Sequence, residues 1–209
     1  MEFKVNPDIR DIDQHIAWIK DTFPKGNVWE MLNVLYYIAK NTKPKHYLEI
    51  GVFKGRSMAL VLKASPQTKG YGVDVWETHS GFVTKPEEVI STLKEINIKK
   101  LPTLFSGRSQ DLLHDLWYRG IIPDLLDLIL VDGAHNAEDA KKDLELCIPH
   151  VKGGGVLLFH DIANLPKLAD LVLSFKRKMP DFIFIESYNY CGFCLMIKLP
   201  FPWKILKRF

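Results

Sequence analysis

Five consecutive strand-then-helix units dominate this chain and leave few folds open to it. "HYLEIGV" leads into "GRSMALVLKAS", "KGYGVDVW" into "KPEEVISTLKEIN", "LPTLFSG" into "SQDLLHDLWYRG", "LLDLILVDG" into "AEDAKKDLELCIPHV", and "GGGVLLFHD" into "KLADLVLSFKRKM". The first member of each pair is a short apolar run that barely alternates, and the second carries apolar residues at helical spacing. Strands that are apolar on both sides are buried on both faces, which points to a parallel sheet covered by helices. Two more strands, "DFIFIES" and "GFCLMIKLP", follow with little but a turn between them. So short a link cannot make a parallel crossover, so one of the pair must run antiparallel. The expected fold is α/β: an open, doubly wound, mostly parallel sheet of seven strands with an antiparallel strand near its C-terminal end.

Upstream, "DIDQHIAWIKDTF" and "VWEMLNVLYYIAKNT" read as helices, separated by the Pro/Gly break "FPKGN" and closed by Pro44. This divides the chain into an N-terminal helical extension (residues 1–27), a main domain (28–199) and a basic-aromatic tail (200–209). A length of 209 residues suits one large domain with a substantial core. The formal net charge of +3 is too small to argue for nucleic acid, and no dense Lys/Arg block interleaved with aromatics interrupts the main domain. Nucleic acid is not an expected partner. The first residues lack the apolar core of a signal peptide, and no apolar run approaches the roughly 18 residues of a membrane span. The expectation is a soluble, cytoplasmic protein.

An open sheet of this kind binds ligands beyond the carboxyl ends of its strands, near the switch in strand order. Polar residues stand there repeatedly. "YLEIGVFKGRSMAL" sets Glu49, Gly51, Gly55 and Ser57 across the first strand-to-helix turn. Glycines permit close backbone approach to a ligand, and helix N-terminal amides face an anionic group. The spacing E-x-G-x-x-x-G is not the G-x-G-x-x-G of dinucleotide binders, so a smaller anion such as a carboxylate is favoured over a pyrophosphate. Asp74 ends the second strand, about 20 residues beyond the glycines, where a carboxylate accepts both hydroxyls of a ribose. Ser106, Gly107, Arg108 and Ser109 end the third strand, and Asp132 ends the fourth. Together they describe one shared rim.

With these motifs assembled, the chain resembles a class I S-adenosylmethionine-dependent methyltransferase, which is a Rossmann-like fold. Within that class it is similar to the metal-dependent small-molecule O-methyltransferases related to macrolide-sugar and cephalosporin-pathway enzymes. The resemblance spans roughly residues 28–199 and rests on "EIGVFKGRS", "GVDVWE", "VDGAHNAEDAKKDL", "KGGGVLLFHD" and the terminal strand pair. It implies that Glu49, Gly51, Gly55 and Ser57 hold the methionine part of the cofactor. Asp74 then takes the ribose hydroxyls, Gly107 with Arg108 or Ser109 borders the adenine, and Asp132 stands beside the cofactor.

The same resemblance implies a divalent cation on Asp132 and the fifth-strand pair His160–Asp161, with His135 as general base. Oxygen ligands suit Mg²⁺, and such an ion chelates two vicinal oxygens of a hydroxyl acceptor. Relatives usually carry two oxygen-bearing side chains in the fifth-strand pair, whereas this chain has His160 first. An imidazole ligand shifts preference toward Mn²⁺ or Fe²⁺. A base with the ordinary imidazole pKa suits proton removal near neutrality. Plainer readings remain beside these: His135 as polarity in a helix-capping loop, His160 as a satisfied histidine at a strand end, and Asp161 with Asn164 as a helix N-cap set. The cap ahead of "AEDAKKDL" belongs to Asn136 or its neighbours. His15, His46, His114 and His150 read as structural, and His79 and Trp76 are placed near the site by proximity alone.

Three cysteines are too few for a disulfide framework. Cys191 and Cys194 form a C-x-x-C in a strand-like stretch, with no second Cys/His pair to complete a zinc site, and read as core or turn residues. Cys147 reads as packing. The tail "LPFPWKILKRF" mixes aromatic and basic residues, which can dock at a membrane interface, pack on a neighbouring subunit of a homo-oligomer or simply dangle; it is too short to anchor to a membrane by itself, and membrane contact is not the expected role. The leading function is methyl transfer to a hydroxyl of a small molecule, a sugar or glycosylated metabolite. The alternatives are a different acceptor atom, oxidative chemistry (for which no haem, flavin or Fe–S signature is present), or a cofactor-binding module that has lost catalysis and serves in an assembly.

Overall fold

A computed structural model describes residues 9–22, 30–77, 83–134 and 136–200. Its strands are β1 (His46–Ile50), β2 (Lys69–Asp74), β3 (Thr103–Ser106), β4 (Leu126–Val131), β5 (Val151–His160), β6 (Phe182–Ser187) and β7 (Phe193–Lys198). Its helices are α1 (Ile12–Thr22), α2 (Met31–Thr42), α3 (Arg56–Ala64), α4 (Pro86–Glu95), α5 (Ser109–Tyr118), α6 (Ala137–Cys147) and α7 (Pro166–Lys178). The strands form a seven-stranded sheet in the order β3-β2-β1-β4-β5-β7-β6. β1 to β5 pair in parallel, while β7 runs antiparallel to both β5 and β6. The fold is the expected Rossmann-like, doubly wound sheet, with β7 as its antiparallel strand.

Strand parity sorts the core into two layers. Tyr47, Leu128, Leu130, Leu158, Phe193 and Leu195 face one side, where they join residues of α1 to α4. Leu48, Ile50, Ile129, Val131, Phe159 and Met196 face the other side, with residues of α5 to α7. Successive side chains of a strand point to opposite faces, so an uninterrupted apolar run feeds both layers. α1 belongs to the first layer: Ile12, Ile16 and Ile19 are buried there with Val34 and Leu35 of α2. Arg56 at the start of α3 clamps the same region through Asp11, at 2.7 Å.

Boundaries moved where backbone chemistry demanded it. β1 stops at Ile50 instead of continuing to Val52, because Gly51 turns to φ +87°. α7 begins at Pro166, whose ring suits the first helical position, and its cap position is Leu165. Asp161 and Asn164 therefore do not form the helix cap that the sequence allowed; instead the Asp161 carbonyl accepts the Leu165 N–H at 3.3 Å. Asn136 does cap α6, its side chain accepting from the Asp139 N–H at 2.9 Å. Among the described residues, no helix is long and apolar enough to cross a membrane.

From β1 the chain winds outward to β2 and β3, then returns to lay β4 on the other side of β1. That reversal leaves a crevice above the carboxyl ends of β1 and β4.

Candidate active site

Three backbone hydrogen bonds carry the sheet pairing one residue past the strand ends and set the rim. Gly51 N–H donates to Val73 at 3.0 Å, Asp132 N–H to Ile50 at 2.9 Å, and Gly107 N–H to Asp74 at 2.9 Å. Gly51 lies so close to the loop after β4 that a Cβ there would sit 2.3 Å from the Asp132 carbonyl oxygen. Only glycine fits that contact at a positive φ.

Two clefts open on this rim. The larger, of about 760 Å³, runs from Gly51 and Asp74 past Trp76 to Gly107, Arg108 and Ser109, and is bounded by Asp132, His160 and Asp161. The smaller, of about 260 Å³, is lined by Glu30, Arg56, Ser57, Tyr190 and Cys191 among others. The two meet at Gly51, Phe53, Asp132 and His160, which line both. A larger chamber and a smaller one sharing a wall of acid and imidazole can hold two reactants face to face.

The first motif divides its duties. Gly51 and Ser57 face the clefts. Gly55 lies behind them, at the cap position of α3 and against Val89. Glu49 is fully buried behind the turn, accepting from the Tyr47 hydroxyl at 3.0 Å and from the Ser57 hydroxyl. Burial, opposed by those two hydrogen bonds, pushes the Glu49 carboxyl up to about 8. Glu49 thus braces the loop from beneath and lines neither cleft.

Asp74 reaches the larger cleft and also organises its wall. Its two oxygens accept the N–H of Phe53 at 2.7 Å and of Trp76 at 2.5 Å. Both amides belong to residues at positive φ, 49° and 62°. The Trp76 indole donates to the Ser106 hydroxyl at 2.9 Å, so this ring is a fixed wall of the cleft. At the far end Arg108 pairs with Asp139 at 3.2 Å. The Ser109 hydroxyl donates to Asp143, a buried acid on α6 that burial pushes up to about 6. Asp143 was not among the expected site residues. Its signal was present in the sequence, since it interrupts the buried stripe Ala140, Leu144, Cys147 of α6.

At the shared wall, His160 Nδ1 lies 2.8 Å from Asp132 Oδ1 and 3.6 Å from Asp161 Oδ1. Burial alone would lower the His160 pKa, but the hydrogen bond and charge of Asp132, with the charge of Asp161, raise it. His160 thus stands beside both expected metal-site carboxylates, while among the described residues the group close enough to share an ion is His160, Asp161 and Cys191. Cys191, read from sequence as a core or turn residue, stands in the turn between β6 and β7 and opens onto the smaller cleft. Cys194 is buried in β7 and Cys147 in α6.

His135, the expected base, lies outside the described residues, as do His79 and residues 201–209 of the tail. The remaining histidines sit away from the shared wall. His15 is buried beside Arg56, and burial with the Arg56 charge pushes it down to about 4. His46 begins β1 at the opposite end of the sheet. His114 is exposed on α5. His150 stacks on Trp117 with ring centres 3.6 Å apart.

The fold and its rim define a class I methyltransferase domain. Residues 48–162, more than half of the chain, match the family model for the methyltransferase domain, and the chain belongs to that family. An uncharacterized protein of Sinorhizobium fredii, y4gI, is 28% identical over 157 residues, which is 71% of this chain. The chain spans only 15% of the length of that relative. The O-methyltransferase TomG of Streptomyces achromogenes, involved in tomaymycin synthesis and solved in complex with SAM, superimposes with a TM-score of 0.63 at 21% identity, covering 79% of this chain and 78% of its own. The O-methyltransferase of Bacillus cereus, solved in complex with SAH, gives 0.65 at 13% identity over 94% and 92% of the two chains. At these identities the structural likeness speaks for the shared fold.

Proposed function

We propose that this chain transfers the methyl group of S-adenosylmethionine to a hydroxyl of a small molecule, a sugar or glycosylated metabolite, with help from a divalent cation and a histidine base. The observation that carries the reading is the Asp132–His160 contact at the one wall shared by a large cleft and a small one. The residues present fit the cofactor. The larger cleft falls within the size range of pockets for cofactor-sized ligands. Asp74 stands at the end of β2 for the ribose, and Arg108 and Ser109 close the far end for the adenine. Asp74, Asp132, Asp139, Asp143 and Asp161 line the same cleft beside Arg108, an acidic surround suited to a cationic sulfonium.

Methyl transfer is an in-line displacement, in which the acceptor oxygen bonds the methyl carbon as the sulfur–carbon bond breaks and leaves a neutral thioether. The chain's work is to align the two reactants and remove the hydroxyl proton. The Asp132 carboxylate and His160 imidazole at the shared wall, with Asp161 beside His160, fit a divalent cation, which when bound lowers the pKa of an acceptor hydroxyl. Asp132, His160 and Asp161 are the residues to hold it. His135, three residues beyond Asp132, is proposed to take the proton into its imidazole. Glu30 and Arg56 offer polar contacts to an acceptor in the smaller cleft.

The test is a methyl-transfer screen over hydroxylated acceptors, with and without chelator, beside calorimetry with S-adenosylhomocysteine. Turnover lost on chelation supports the full reading. Turnover that survives chelation removes the metal. Absence of S-adenosylhomocysteine binding overturns the cofactor assignment, and binding without transfer to any acceptor leaves a module that does not catalyse.

A further inference from the structure

We propose that the Cys191 thiolate is a direct ligand to the divalent cation, so that the site is built from His160, Asp161 and Cys191, with Asp132 beside His160, and takes Fe²⁺, Co²⁺ or Zn²⁺ in preference to Mg²⁺. The inference rests on the cation site proposed above and adds to it a ligand from a different part of the fold. One atom each from His160, Asp161 and Cys191 lie within 4.8 Å of one another. Ligands on one ion with bonds of about 2.0–2.3 Å stand roughly 3.5 Å apart in a tetrahedral set. The 3.6 Å separation of His160 Nδ1 and Asp161 Oδ1 already matches that edge. The shorter His160–Asp132 contact, 2.8 Å, is a hydrogen bond that an ion replaces.

The thiol is delivered by a built approach of backbone to backbone. The turn between β6 and β7 is pinned to the loop after β5 by the Ala163 N–H, which donates to the Cys191 carbonyl at 2.9 Å. The next residue, Gly192, lies at φ +76°, and a Cβ there would meet Ala163 at 2.6 Å. Only glycine lets the turn come this close. Cys191 and His160 both line the smaller cleft, so an ion has a path to them. Cys194 cannot take this place: it pairs with Phe159 inside the sheet and is buried. The C-x-x-C thus contributes one ligand rather than a chelating pair. A soft thiolate and an imidazole beside the Asp161 carboxylate favour borderline ions over Mg²⁺. On binding, the sulfur–metal bond replaces the S–H bond and the proton passes to water.

The experiment uses the full chain, freed of metal by chelator and kept reduced, and titrated with Co²⁺ alone. The wild type is expected to develop the near-ultraviolet charge-transfer absorption of a thiolate–cobalt bond. Cys191→Ser, which keeps the other two thiols, is expected to lose that absorption and to bind Co²⁺ about 10- to 100-fold more weakly. A second measurement avoids dependence on the variant: bound Co²⁺, unlike Mg²⁺, should slow alkylation of Cys191 in the wild type, read by peptide mass spectrometry. Co²⁺ binding without charge-transfer absorption overturns the thiolate ligand while leaving an Asp/His/Asp site. Equal absorption and affinity in Cys191→Ser also overturns it. Failure of the wild type to bind Co²⁺ overturns both cation proposals, and S-adenosylhomocysteine calorimetry on the same sample judges the methyl-transfer reading separately.

Discussion

His160 on β5 and Asp132 just beyond β4 share a hydrogen bond of 2.8 Å across adjacent parallel strands, at the junction of the two clefts. Without an ion, that bond keeps a proton on the imidazole to higher pH than usual, despite the burial that opposes it. A cation must displace this proton, so its affinity should rise with pH. We expect Co²⁺ to bind markedly tighter at about pH 8 than at about pH 6, measured by calorimetry. The same pair stabilises the metal-free fold below the ordinary imidazole pKa, and that contribution fades as pH rises through the raised value. The stability advantage of the metal-free wild type over His160→Gln should therefore be largest in acid. Flat profiles for both affinity and stability would remove the coupling.

Glu49 gives a second pH dependence of opposite chemical origin. Its pKa is raised from the ordinary 4.5 to about 8, so the folded chain holds a proton there that the unfolded chain releases. The resulting stabilisation is present in acid and is lost as pH rises from 4.5 through about 8. Glu49→Gln keeps an acceptor for Ser57 but cannot ionise. Its unfolding midpoint in denaturant should fall less between the two ends of that window than the wild-type midpoint does.

The residues that were legible in the sequence share one property: each ends an apolar run. Asp74, Asp132 and His160 announced themselves because a charged or polar group that interrupts an apolar run is costly to bury unless it is paired. The order and sense of the strands followed from apolar periodicity and from the short link before β7. What escaped depended on contacts between elements distant in the chain. Cys191 reaches His160 only because the β6–β7 turn docks on Ala163, which no local pattern encodes. Asp143 meets Ser109 because α5 and α6 lie side by side. The Asp161–Asn164 cap was misplaced because Pro166, suited to the first turn of a helix, sets the start of α7 farther along. Glu49 sits in the cofactor motif, yet strand parity turns it toward the same layer as Tyr47 and beneath the loop.

The contact between Gly51 and the loop after β4 predicts a sharp contrast among glycines. Gly51→Ala sets a methyl group 2.3 Å from the Asp132 carbonyl at φ +87°, so the rim must move. We expect a loss of more than about 3 kcal/mol of stability and of S-adenosylhomocysteine binding. Gly120 also has positive φ, but nothing lies within 4 Å of a Cβ there. Gly120→Ala should cost about 1–2 kcal/mol from backbone strain alone and leave ligand binding intact. Similar effects of the two substitutions on binding would show that the Gly51–Asp132 approach does not shape the site.

Asp74 tests the cofactor assignment most directly. Both of its oxygens are already engaged by backbone amides, of Phe53 at 2.7 Å and Trp76 at 2.5 Å, while the carboxylate faces the larger cleft. Each oxygen has a second lone pair, so the group can accept a ribose hydroxyl without releasing the loop. Asp74→Asn replaces one acceptor by an NH₂ that points at a backbone N–H, and removes the charge. Losing a hydrogen bond to a charged group is worth about 1.5–3 kcal/mol. S-adenosylhomocysteine binding should therefore weaken about 10- to 100-fold in calorimetry. Free homocysteine, which lacks the ribose, should show the same inhibition constant against S-adenosylhomocysteine in the variant and the wild type. If homocysteine competition weakens in parallel, Asp74 acts by holding Phe53 and Trp76 in place and does not contact the ribose.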